Sequence, residues 1–105
     1  MQIQVHTDNN IEGSAELTRH VEEVVEDALV RFAGQITRVA VHLSDESSAA
    51  KSVGDDKRCR IEVRLAGMQP MSVSDDSDNV SQALRGAARK LESMLAKVIG
   101  KLESR

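Results

Sequence analysis

At 105 residues and 40 % hydrophobic content, the chain is the size of one domain and can bury a small core. That core must be aliphatic, because Phe32 is the only aromatic residue, and the same scarcity excludes the aromatic platforms on which proteins stack single-stranded bases. A net charge of −3 runs against simple affinity for nucleic acid, the single cysteine excludes an internal disulfide or a CxxC site, and no apolar run approaches the roughly 18–20 residues that span a bilayer.

The opening MQIQVHTDNN has neither the basic nor the apolar region of a secretion signal, so a cytoplasmic setting is expected. Within it, residues 2–7 alternate with Ile3 and Val5 on one side, which predicts a half-buried strand closed by the turn residues Asp8-Asn9-Asn10. A helix should begin near Gly13-Ser14 with Ser14 as its N-cap. Leu17, Val21, Val24, Val25, Ala28, Leu29 and Phe32 recur at three and four and form its apolar stripe. Its other face carries Glu16, Arg19, Glu22, Glu23, Glu26 and Asp27 and is strongly acidic; Gly34 is expected to end it as a C′ glycine.

Alternation returns over Ile36–Ser44, with Val39, Val41 and Leu43 on one side and Arg38, Ala40 and His42 on the other. The polar stretch Ser44–Asp56 predicts a hairpin loop, longer at about thirteen residues than a structural hairpin requires. Lys57–Leu65 is the cleanest strand: Cys59, Ile61, Val63 and Leu65 form its inward set, and Arg58, Arg60, Glu62 and Arg64 its outward set. Ala66-Gly67 turns the chain into a short strand, Pro70–Ser74, whose initial proline suits an edge. Asp75-Asp76-Ser77-Asp78 offers N-cap candidates for a last helix from about Asn79 to Leu102, with Val80, Leu84, Ala87, Leu91, Leu95, Val98 and Leu102 as its buried stripe.

The order β-α-β-β-β-α predicts an α+β two-layer sandwich over residues 1–105: two helices packed on one face of a four-stranded sheet. The other face is left to solvent or to a partner, and it collects Gln2, Gln4, His6, Arg38, His42, Arg58, Arg60, Arg64, Ser72 and Ser74. Arginine's planar fork suits phosphate; the competing reading is cross-strand pairing with Glu62 and hydration. Charge is also uneven along the chain, with 3 basic against 9 acidic groups in residues 1–50 and 11 against 8 in residues 51–105. On the last helix Arg85 and Arg89 share one flank of the stripe, and Lys90, Lys97 and Lys101 share the other. Such cations could hold phosphates, or could snorkel over the core edges.

Catalysis finds little support. His6, His20 and His42 have no motif-spaced partners, Cys59 falls on the inward side of its strand, and no HExxH, GxSxG or phosphate-loop pattern occurs. Asp75, Asp76 and Asp78 lack the spacing of an EF-hand, and N-capping accounts for them better than a divalent cation. No metal, cofactor or small-molecule substrate is therefore expected.

Along nearly its whole length the sequence resembles the ribosome hibernation-promoting factor family, which includes ribosome-associated inhibitor A and is also called the sigma-54 modulation family. The resemblance rests on Thr7-Asp8-Asn9-Asn10-Ile11-Glu12, on Ser14-Ala15-Glu16-Leu17, and on Ile36-Thr37-Arg38-Val39-Ala40-Val41-His42-Leu43. It continues in Asp78-Asn79-Val80-Ser81-Gln82-Ala83-Leu84 and in the Lys90-Leu91, Lys97, Lys101 run. Members often carry an acidic residue where Arg85 stands and an aromatic where Val80 stands. The resemblance implies a fold like a double-stranded-RNA-binding domain in outline, and docking on ribosomal RNA of the small ribosomal subunit, in the channel used by mRNA and tRNA anticodons, which silences idle ribosomes under stress; a monomer is expected. By position Lys90, Lys97 and Lys101 would contact rRNA, with Arg85 and Arg89 as further candidates; the outward Arg38, Arg58, Arg60 and Arg64 are added from the strand pattern. A second reading keeps the fold but makes the acidic first helix a protein-docking surface, without ribosome binding.

Overall fold

The computed structural model describes residues 1–46 and 56–103. In chain order it contains β1 (Gln2–Thr7), α1 (Ala15–Leu29), a 3₁₀ turn (Val30–Phe32), β2 (Ile36–Asp45), β3 (Lys57–Leu65), β4 (Met71–Ser77) and α2 (Val80–Glu103). This is the expected α+β order. The sheet runs β1-β2-β3-β4. β1 and β2 are parallel, joined through α1, and the two later pairings are antiparallel. Most of the loop expected over Ser44–Asp56 lies outside the described residues; its ends are joined by the Glu46 amide donating to the Asp56 carbonyl at 2.7 Å.

α1 begins as expected, with the Ser14 hydroxyl accepting from the Leu17 amide at 3.0 Å. It does not end on Gly34. The chain tightens after Leu29, and the amides of Ala33, Gln35 and Ile36 donate to the carbonyls of Val30, Phe32 and Ala33. These short-range bonds meet the last carbonyls without a left-handed residue, and Gly67 is the only described residue with positive φ, at 74°. That glycine lies in the β3–β4 turn, where the Met68 amide reaches the Leu65 carbonyl at 3.1 Å.

The second correction concerns the last strand. β4 runs on through Asp75, Asp76 and Ser77, because Lys57, Arg58 and Cys59 of β3 supply ladder partners for them. The expected aspartate cap is accordingly replaced by Asn79, whose side-chain oxygen accepts from the Gln82 amide at 2.8 Å.

The core lies between the helices and the inward face of the sheet. Val21, Val25 and Leu29 of α1 meet Val39, Val41 and Leu43, then Cys59, Ile61, Val63 and Leu65, and Leu84, Leu91, Leu95 and Ile99 of α2. α2 lies over β3 and β4 and packs beside α1. Ala83, Gly86, Ala87 and Ala88, all buried, keep that face of the helix thin enough for close approach. Leu102, expected in the stripe, is 47 % exposed, because the helix has by then run past the core; Ile99 is its last buried residue.

Candidate nucleic-acid interface

Period two puts one alternate set from each of the four strands, mostly polar, on the open face, and the register arranges them in rows. One row joins Gln2, Arg38 and Arg64; the next Gln4, Ala40, Glu62 and Ser72; the third His6, His42, Arg60 and Ser74; the last Ser44, Arg58 and Asp76. The face therefore gathers the four outward arginines named from sequence, but their surroundings differ. Arg58 is taken by Asp76 through a forked pair, Nε to Oδ1 at 2.9 Å and an Nη to Oδ2 at 3.4 Å. Arg38, Arg60 and Arg64 are exposed and form no ion pair among the described residues. Ala40, between the longer Gln4 and Glu62, is the one buried residue of this face.

His6 and His42, one on each of the parallel strands, stack with ring centroids 4.9 Å apart and planes 14° apart. His42 is held below the usual imidazole range, first by partial burial, then by the Arg60 guanidinium and by His6, with Glu62 opposing. The third histidine serves packing: His20 Nε2 and the Ser81 hydroxyl lie 3.1 Å apart and join α1 to α2.

On α2 the two basic flanks separate as the helical spacing requires. Lys90 is engaged with β4, its ammonium 2.9 Å from the Asp75 carboxylate and donating to the Ser74 carbonyl at 2.9 Å. It is thus a staple between helix and sheet as well as a surface cation. Lys97 and Lys101 lie exposed one and two further steps along the same edge. Arg85 and Arg89 lie on the opposite edge, lining a groove of ≈ 370 Å³ with His20, Glu23, Asp27 and Glu92. Three carboxylates thus share that groove with the two arginines. Beneath Lys90, Asp75 points inward against Gly86 of α2 and stands opposite Cys59. Burial pushes the Cys59 thiol up to about 12, and Asp75 adds to the effect.

The sequence placed the basic side chains on the right faces but missed the counter-ions. Asp75 and Asp76 have the sequence pattern of helix caps, but pairing with Cys59 and Arg58 makes them part of β4. The His6–His42 pair was also missed as a unit, because only the parallel β1–β2 register brings the two rings together. Among the described residues no three or more His, Cys, Asp or Glu gather as metal ligands, and no helix is long and apolar enough to cross a membrane.

The fold is shared with solved structures. It is similar to the N-terminal domain of Protein Y from Thermus thermophilus, at a TM-score of 0.75 and 20 % identity, covering 93 % of this chain and 99 % of that one. It is similar too to a ribosomal subunit interface protein from Coxiella burnetii, at a TM-score of 0.71 and 20 % identity, covering 95 % and 99 %. No curated protein matches it by sequence. The profile of the family described as sigma 54 modulation protein / S30EA ribosomal protein aligns with residues 3–103. With the match running from the first strand to the end of the last helix, the chain belongs to that family.

Proposed function

We propose that this protein binds the small ribosomal subunit through rRNA phosphates and, by occupying the mRNA and tRNA channel, holds idle ribosomes silent under stress. Family membership carries the reading, and the two structural relatives, named for the ribosomal subunit interface and as Protein Y, agree with it. The protein acts as a cytoplasmic monomer and not as an enzyme. Contact falls on the open sheet face and the adjoining edge of α2, with Arg38, Arg60, Arg64 and Lys97 leading and Lys101 beside them. Lys90 and Arg58 contribute less while Asp75 and Asp76 hold them, and Arg85 and Arg89 less because of the carboxylates around them. Cations of this kind supply affinity and register, not base specificity.

Co-sedimentation with purified small subunits across a salt series tests this. About four phosphate contacts give a slope of log K against log salt of about −3. Arg60→Glu with Arg64→Glu, both on the open face, should weaken binding by more than about tenfold. Absence of co-sedimentation even at low salt overturns the reading. One observation favours a protein-docking alternative: the outer face of α1 presents exposed Glu16, Glu23, Glu26 and Asp27.

A further inference from the structure

We propose that the stacked His6–His42 pair and Arg60 form a phosphate-binding subsite on the open face of the sheet, tightening on RNA when the imidazole pair takes up a proton. The subsite rests on the RNA-binding reading above and adds a proton linkage to it.

The row His6, His42, Arg60, Ser74 crosses all four strands and presents two imidazoles, a guanidinium and a hydroxyl, each able to donate to an anion. At a strand spacing of about 4.8 Å, three steps give a run long enough for adjacent phosphates of one strand. No carboxylate stands in the row. Of the flanking charges, Asp76 on β4 is spent on Arg58, and Glu62 on β3 favours the charged imidazole. At the β1 end the Asp8 carboxylate is occupied by the amides of Asn10 and Asp45. Arg38 and Arg64 lie two rows away and reinforce attraction for an anion.

In the free protein the groups around His42 oppose its charging: the ring is half-buried, Arg60 is cationic, and a second ring lies stacked on it. A phosphodiester reverses these signs. It neutralises Arg60 and accepts from a charged ring, so the anion and the proton bind together. Linkage then fixes the direction: affinity rises as pH falls through the imidazole range, about tenfold in all for each unit by which the anion raises the His42 pKa.

The test uses the intact protein and a uridine oligonucleotide of about 12 residues as probe, long enough to cover a groove that tracks the backbone. His42 is titrated by NMR with and without the oligonucleotide, and affinity is measured at about pH 6 and about pH 8 at fixed ionic strength, where imidazole changes charge. The subsite requires the oligonucleotide to raise the His42 midpoint and to bind at least about threefold tighter at the lower pH. The variant His6→Gln/His42→Gln, altered only on the open face, should bind equally at both pH values, with its melting temperature at about pH 8 unchanged. If the oligonucleotide leaves the His42 titration unmoved, or binds independently of pH, the subsite is overturned, and salt-sensitive small-subunit binding would still stand. If the oligonucleotide moves His42 but small subunits bind at neither pH, the ribosomal reading fails and the subsite survives.

Discussion

At the scale of single residues, Asp75 organises more than its place in the sequence suggests. It sits on the inward side of an edge strand, pairs with Lys90, stands over Gly86 and faces Cys59. A Cβ at Gly86 would collide with its carboxylate and lie 2.6 Å from its Cγ. Alanine in mid-helix normally gains about 1 kcal/mol over glycine. Here the gain is reversed: Gly86→Ala should lower the denaturation midpoint in the native chain and raise it in an Asp75→Ala background, a coupling that a double-mutant cycle reads directly. Failure of the sign to change would mean that Asp75 yields freely. Cys59, fully buried with its thiol pushed up to about 12, should resist thiol reagents in the folded protein and react only as denaturant unfolds it. Rapid labelling under native conditions would contradict the burial.

At the scale of elements, α2 does two jobs with one set of lysines. The edge beside β4 uses Lys90 as a staple and leaves Lys97 exposed a full two turns on. Reversal of the two charges should therefore separate stability from binding. Lys90→Glu sets two carboxylates side by side and lowers the melting temperature, whereas Lys97→Glu leaves it unchanged and weakens only small-subunit binding. Melting curves and co-sedimentation of the two variants check this, and equal melting shifts would dissolve the distinction. The element order, the inward and outward sets of β2 and β3, and the Ser14 cap were all legible, because period two, period 3.6 and a local cap are properties of neighbouring residues. The end of α1 and the length of β4 were not. The first depended on a run of 3₁₀ bonds that no single glycine announces, and the second on partners supplied by a strand already laid down.

At the scale of the whole molecule the charges are polarised. α1 shows carboxylates to one side, and the open sheet face on the far side shows Arg38, Arg60 and Arg64. A net charge of −3 thus conceals a face suited to a polyanion. If the sheet face is the binding surface, Glu23→Gln/Glu26→Gln/Asp27→Asn should leave small-subunit co-sedimentation unchanged or strengthen it. Loss of association would move the working surface to α1 and favour the protein-docking reading.

The sequence by itself determined the order of strands and helices and the inward and outward sets of β2 and β3, since alternation and helical spacing need no knowledge of distant partners. Tertiary structure alone decided how those faces were wired. Strand order and register paired Arg58 with Asp76 eighteen residues away and drew Lys90 onto Asp75. They also left Arg60 beside two stacked imidazoles and without an ion pair among the described residues. Register is a property of two strands together, set by burying one face of each against a common core, so the electrostatics of the open face appear only once that core is built.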